Sequence, residues 1–173
     1  MDAGGVQLER KLLDRRFREK EIEIIRLFLT EGTWETAIFV RRVGVSRATF
    51  YRHHQGVGRI VPDYREMVMV RFERMLERVS GEKLAIRDLC LRFLTFILQN
   101  REIFRMFLAV SEYEVYILMF RRIWGEERIL MAELVVLIED WGKRGFLEVE
   151  IDEILGKMVK IVRGRLALGG CKC

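Results

Sequence analysis

Between Thr36 and Arg59 the chain carries five arginines, Arg41, Arg42, Arg47, Arg52 and Arg59, and no aspartate or glutamate. Interleaved with them stand Ser46, Ala48, Thr49, Tyr51 and His53. These residue types at this density suit one chemistry. Guanidinium groups pair with phosphate oxygens and reach guanine O6 and N7 through two hydrogen bonds, Tyr and Thr hydroxyls donate to phosphate, and an alanine or threonine methyl packs on the thymine methyl. The protein has a formal charge of +5 from 31 basic and 26 acidic side chains. Setting the five arginines aside leaves 26 of each sign, so the net positive charge resides in this one segment. A local excess of that kind is the electrostatic footprint of a nucleic-acid interface. A merely solvated arginine-rich face does not require the absence of acids.

Other chemistries find little material. The two histidines, His53 and His54, are adjacent, and neighbouring helical residues point about 100° apart, so they do not converge on a metal ion. No metal-ligand spacing, phosphate-binding glycine loop or nucleophile–base pair is visible, so neither an enzyme nor a bound cofactor or metal is expected. The cysteines are Cys90, Cys171 and Cys173, an odd number with two in a Gly-Gly-Cys-Lys-Cys tail, which argues against a disulfide framework and leaves Cys90 as a small core residue. The apolar runs Val115 to Phe120 and Leu134 to Ile138 fall far short of the roughly 20 residues that cross a bilayer. The charged stretch from Glu9 to Glu23 lacks the apolar middle of a signal peptide, so a cytoplasmic protein with no membrane partner is expected.

These side chains have to be held by something, and the pattern is helical throughout. Half of the residues are apolar, a third are charged, there is a single proline, and strand-like alternation is absent, which predicts an all-α fold. A first helix is expected from Val6 to Glu31 with Ile24, Ile25 and Phe28 on one face. Gly32 ends it, Thr36 caps a second helix with Phe39, Val40 and Val43 inside, and Gly44 supplies the turn. Ser46 caps the third helix. On its wheel Phe50 and His54 lie within about 40° and face inward, which leaves Ala48, Thr49, Tyr51 and Arg52 outside with Arg47 and His53 at the flanks. Pro62 suits the first turn of a fourth helix running to Val79 with Tyr64, Val68, Phe72, Met75 and Val79 as a stripe. Further helices are expected over 83–100, 102–110, 112–124 and 126–143. A final one runs to Leu168, capped by Asp152 with Ile151 as a hydrophobic staple.

Leu27-Phe28 with Gly32, then Gly44-Val45-Ser46, then Ala48-Thr49-Phe50-Tyr51 with His53, form a signature that resembles the TetR-type bacterial transcriptional regulators. Trp141-Gly142-Lys143-Arg144-Gly145-Phe146-Leu147 followed by Asp152-Glu153-Ile154 is similar to the junction of that family's last two helices. The chain departs from the family in four ways. The interval from Phe28 to Gly44 is shorter, Val40 stands where a small alanine is usual, His54 stands where a phenylalanine closes the third helix, and Val57 or Gly58 replaces a lysine. The resemblance implies a three-helix helix-turn-helix DNA-binding domain over residues 1–59 and a helical ligand-binding and dimerisation domain over 60–173. It also implies that Tyr51, His53 and Thr36 contact phosphate while Arg47, Ala48, Thr49 and Arg52 face base edges, with Ser46 at the helix start.

The aromatic-rich stretch beyond Leu91 admits two readings: ordinary core, or the wall of a pocket for a hydrophobic effector. The resemblance favours a pocket, and Phe93, Phe96, Phe107, Tyr113, Tyr116, Phe120 and Trp124 are its candidate lining. The last two helices are apolar around more than one side, which suggests a two-fold homodimer interface at Leu130, Leu134, Leu137, Ile138, Trp141, Ile154, Met158 and Ile161, as the resemblance also implies. The expectation is a homodimeric repressor that binds a near-palindromic double-stranded DNA operator and leaves it when a small molecule binds. The alternative is a helical protein-interaction adaptor of the same fold that no longer binds an operator.

Overall fold

The computed structural model describes residues 15–31, 36–79 and 84–168 of the chain. Among these residues the fold is all-α, with nine helices, two short 3-10 turns and no strand. Expectations for residues 6–14, for the breaks at Gly32 and Ser80-Gly81, and for the cysteine tail lie outside the described residues. The chain divides into two compact units, Met1–Val70 and Arg71–Cys173.

The first unit contains α1 (Arg15–Glu31), α2 (Thr36–Val43), α3 (Arg47–His53), a 3-10 turn (Val57–Arg59) and the first part of α4 (Ile60–Glu77). Its apolar residues converge as the periodicity predicts. Ile24 and Ile25 of α1, Phe39, Val40 and Val43 of α2, Phe50 of α3, and Ile60, Tyr64 and Val68 of α4 are all buried. Enclosing a large apolar side chain contributes about 1.5–3 kcal/mol each, so α2 and α3, with eight and seven residues too short to persist alone, are held by this shared interior. Val40 sits in that interior, so a branched residue is accommodated where the resemblance implies alanine. Pro62 lies in the first turn of α4, where its missing N–H has no partner to lose.

The second unit contains the remainder of α4, then α5 (Ile86–Gln99), α6 (Arg101–Ala109), α7 (Glu114–Trp124), α8 (Arg128–Lys143), a 3-10 turn (Glu148–Glu150) and α9 (Ile151–Leu168). α9 lies against both α5 and α8, and α8 also meets α6 and α7. Each of the last two helices therefore has neighbours on more than one side, which is why each is apolar around so much of its circumference. Arg165 of α9 grips Glu133 of α8 through two guanidinium nitrogens.

The α8–α9 junction follows from a local rule. Gly145 has φ of +89°, its N–H bonds to Gly142 O at 2.8 Å, and the N–H of Phe146 bonds to Trp141 O at 3.1 Å. This is a Schellman stop, and its usual apolar contact is the Phe146 ring edge-on to Trp141, with centroids 5.1 Å apart. The Trp141 indole N–H also donates to Leu147 O at 3.1 Å. Glu127 caps the start of α8 by accepting from the N–H groups of Ile129 and Leu130. One expectation fails at the start of α9. Asp152 is not the cap but lies in the first turn, because the Glu148–Glu150 turn leads straight into a helix that begins at Ile151.

Candidate nucleic-acid interface

The polar face of α3 is set by the turn before it. Gly44 has φ of +71°, a left-handed conformation that side chains rarely adopt, and its N–H closes α2 on Val40 O at 3.2 Å. Ser46 then caps α3, its Oγ accepting the N–H of Thr49 at 3.0 Å and lying 2.8 Å from Thr49 Oγ1. Phe50 fixes the rotation of the helix, with its ring 5.8 Å from Phe39 and 5.3 Å from His54. With Phe50 enclosed, Arg47, Ala48, Tyr51 and Arg52 are exposed together, and Tyr51 keeps 52% of its surface open. Thr49 is half-buried with its hydroxyl occupied by the cap. Arg41 and Arg42, in the last turn of α2, are also exposed and extend the basic surface beyond the residues expected to contact DNA.

Three expected features change in the folded chain. His53, expected at an outer flank, is only 3% exposed. The wheel failed because α3 ends at His53: His54 adopts an extended conformation as the C-cap, and His53, three residues after Phe50, takes the inward position beside it. His54 is nevertheless buried, its ring between Phe50 and Tyr64 with both centroids 5.3 Å away, so it fills the place the resemblance gives to phenylalanine. Thr36 turns its hydroxyl towards the backbone after α3 and accepts the N–H of Val57 at 3.5 Å. Of the two residues that stand in place of the lysine, Val57 is buried as part of the core and Gly58 is exposed.

The acid-free window is also shorter in space than along the chain. Arg59 Nη2 lies 3.6 Å from Asp63 Oδ1 and 3.7 Å from Glu66 Oε1, so the last of the five arginines is balanced by acids from the first two turns of α4. Arg41, Arg42, Arg47 and Arg52 are exposed on α2 and α3. The partnership between His54 and Asp63 had no signal in the sequence, since the two are nine positions apart across a change of direction.

In the second unit most of the residues expected to wall a pocket lie in a network of aromatic contacts. Phe93, Phe96, Phe107, Tyr116 and Phe120 are buried. Their rings, with those of Phe72, Phe104 and Trp124, form a chain of tilted and edge-on contacts 5.0 to 6.3 Å between centroids. Tyr116 donates to Phe104 O at 3.1 Å and burial pushes its phenol above the ordinary tyrosine range, while Tyr113, half-buried, donates to Glu139 at 3.2 Å. An open groove of about 280 Å³ lies elsewhere, lined by Met75, Leu91, Arg92, Thr95, Phe96 and Gln99, and shares only Phe96 with the expected wall.

The expected dimer residues fall into two groups by burial. Leu130, Leu134, Ile138, Trp141, Ile154 and Met158 are enclosed within the protomer and hold α8 and α9 to their own neighbours, so they have no surface to offer a second copy. Leu137 and Ile161 are half-buried. The apolar surface that is open on α8 consists of Ile129 (54%), Ala132 and Val136 (63%), spaced as i, i+3 and i+7.

Among the described residues no helix is long and apolar enough to cross a membrane, and no group of three His, Cys, Asp or Glu side chains is placed to hold a metal ion. Comparison with protein-family models, curated proteins and solved structures returns no match.

Proposed function

We propose that the chain is a sequence-specific DNA-binding regulator of the TetR type, a cytoplasmic homodimeric repressor released from its operator by a small-molecule effector. The observation that carries the reading is the outer face of α3, where Arg47, Ala48, Tyr51 and Arg52 are exposed together on a helix whose rotation is fixed by Phe50 and whose start is capped by Ser46. In this reading α2 and α3 are the helix-turn-helix and α3 enters the major groove. Arg47 and Arg52 read base edges, Tyr51 donates to phosphate, and Arg41 and Arg42 add phosphate contacts. His53 is left out of the contact set because its ring is enclosed.

A near-palindromic operator would take two copies of α3 in successive major grooves roughly 34–36 Å apart, which requires a two-fold dimer. The open stripe of Ile129, Ala132 and Val136 is the surface proposed for it. The effector would seat in the Met75–Gln99 groove and act through α4, which passes from one unit into the other. It must prefer the released state, since a ligand with equal affinity for both states shifts nothing.

Selection of bound sequences from a random duplex pool tests the reading. It predicts an enriched near-palindrome, binding that weakens steeply with salt, a uniform loss of affinity in Tyr51→Phe, and a loss at one base position of about 1–3 kcal/mol in Arg47→Ala. A second reading, the adaptor without an operator, is favoured by the enclosure of His53 and the balancing of Arg59 by Asp63 and Glu66. It predicts that the same pool yields no motif.

A further inference from the structure

We infer that the buried His54–Asp63 contact is a positioning strut that holds the exposed face of α3 at a set angle to α4. The strut is a property of the first unit alone, and its effect on DNA rests on the function proposed above. α3 has seven residues, fewer than two turns, and a helix of that length does not hold its own shape or direction. After it the chain passes through Gly56, with φ of +134°, and a single 3-10 turn before reaching α4, so few backbone bonds join the two helices directly. Packing of Phe50 sets the rotation of α3 about its axis but does not by itself set the direction of that axis against α4. A directed contact has to come from somewhere else.

His54 supplies it. The backbone N–H of His54 stays tied to α3 by donating to Phe50 O at 2.7 Å, while its side chain leaves the helix axis and donates from Nδ1 to Asp63 Oδ2 at 2.9 Å. The acceptor is a carboxylate, so the proton of this bond belongs to Nδ1. His54 and Asp63 are 3% and 9% exposed, a setting in which a hydrogen bond to a charged group is stronger and better aligned than at the surface. The imidazole also lies between Phe50 of α3 and Tyr64 of α4, so the ring is pinned on both sides of the bond. Asp63 has a second task on its other oxygen, Oδ1, which faces Arg59, and that guanidinium also faces Glu66. Asp63 thereby orients α3 and shields one arginine of the basic surface.

The two components of His54 are separable. His54→Asn keeps an amide donor at the place of Nδ1 and loses the ring, whereas His54→Phe keeps the ring and loses the donor. Each is measured for affinity to the selected duplex and to a scrambled duplex of equal length, and for amide hydrogen exchange along α3. The strut predicts that His54→Phe lowers the ratio of selected to scrambled affinity about tenfold, within the range for one charge-assisted bond, and speeds exchange at the last turn of α3 without speeding it in α1. His54→Asn should keep most of the ratio. Asp63→Asn, which preserves side-chain shape, serves if His54→Phe does not fold, and it should raise affinity for scrambled DNA while lowering the ratio. A wild-type ratio and wild-type α3 exchange in His54→Phe, or equal losses in the Phe and Asn variants, would overturn the strut. If the wild-type chain selects no duplex, the DNA reading fails by itself, and the exchange data still decide the strut: faster α3 exchange in the Phe variant than in the Asn variant supports it, and equal rates overturn it.

Discussion

Replacing Gly142 by alanine should destabilise the protein even though alanine is the better helix former. Gly142 lies inside α8, and a Cβ built there would stand 2.0 Å from Leu108 Cδ1, 2.8 Å from Phe146 Cζ and 3.2 Å from Phe146 Cε2. The two neighbours differ in what they can give. Leu108 is half-buried and meets the new methyl with the tip of a flexible side chain, so a rotamer change costing about 0.5–1.5 kcal/mol relieves it. Phe146 is fully buried, edge-on to Trp141 and 6.5 Å from the Phe104 ring, and its backbone is committed to the stop of α8 with φ of +52°. It cannot retreat without opening the Trp141 contact. Overpacking of a closed core costs about 1–3 kcal/mol. Against this, Gly→Ala in a helix interior gains about 1 kcal/mol. The balance is a loss of about 0.5–3.5 kcal/mol, or a fall of about 2–10 °C in Tm for a chain of this size. Gly156 in α9 is the control, because a Cβ there meets nothing within 4 Å, and its alanine variant should gain up to about 1 kcal/mol. Thermal and urea melts followed by circular dichroism compare the two. If Gly142→Ala is as stable as Gly156→Ala, the close approach of α6 to α8 and the rigidity assigned to Phe146 are wrong.

Ser111 holds φ of +57° at the turn after α6, where the N–H of Glu112 returns to Phe107 O at 2.8 Å, so Ser111→Gly should stabilise by about 0.5–1 kcal/mol in the same melts, and a loss would contradict the strain. In the proposed dimer, Val136→Arg should lower the mass to that of a monomer in sedimentation equilibrium with little change in the fold, since the side chain is largely exposed in the protomer; a dimer mass in both forms would remove this stripe from the interface, and a monomer mass in the parent chain would refute the dimer. Burial pushes the Cys90 thiol up to about 11 from 9.0, so the folded chain keeps a proton that the unfolded chain loses. Stability should therefore fall as pH rises from about 9 to 11, and the fall should be smaller in Cys90→Ala; parallel pH profiles would show that Cys90 contributes nothing there.

Local periodicity and stop signals were readable in the sequence because they depend on residues a few positions apart. Gly44 with Ser46, the order of the helices, the inward stripe of α4 and the Trp141 to Phe146 junction all follow from backbone preference, capping and i to i+4 spacing. So does the outward face of Arg47, Ala48, Tyr51 and Arg52, which needs only Phe50 to point inward. The burial of His53 was not readable, since it turns on α3 ending one residue before His54. The balancing of Arg59 and the His54–Asp63 bond were hidden for another reason: they depend on a change of chain direction at Gly56 to Arg59 that brings α4 beside the end of α3. In the second unit, hydrophobicity alone could not say whether an apolar side chain meets its own chain, a ligand or a second copy. In the structure Leu134, Ile138, Trp141 and Met158 are enclosed among the neighbours of α8 and α9, and Phe93, Phe96 and Phe120 are buried in aromatic contacts. The sequence by itself determined that the chain is helical, where its turns fall and where its positive charge is concentrated, because these are local properties. Only the tertiary structure decided which apolar faces are consumed in the protomer and which charges are balanced, because both depend on elements far apart in the chain coming together.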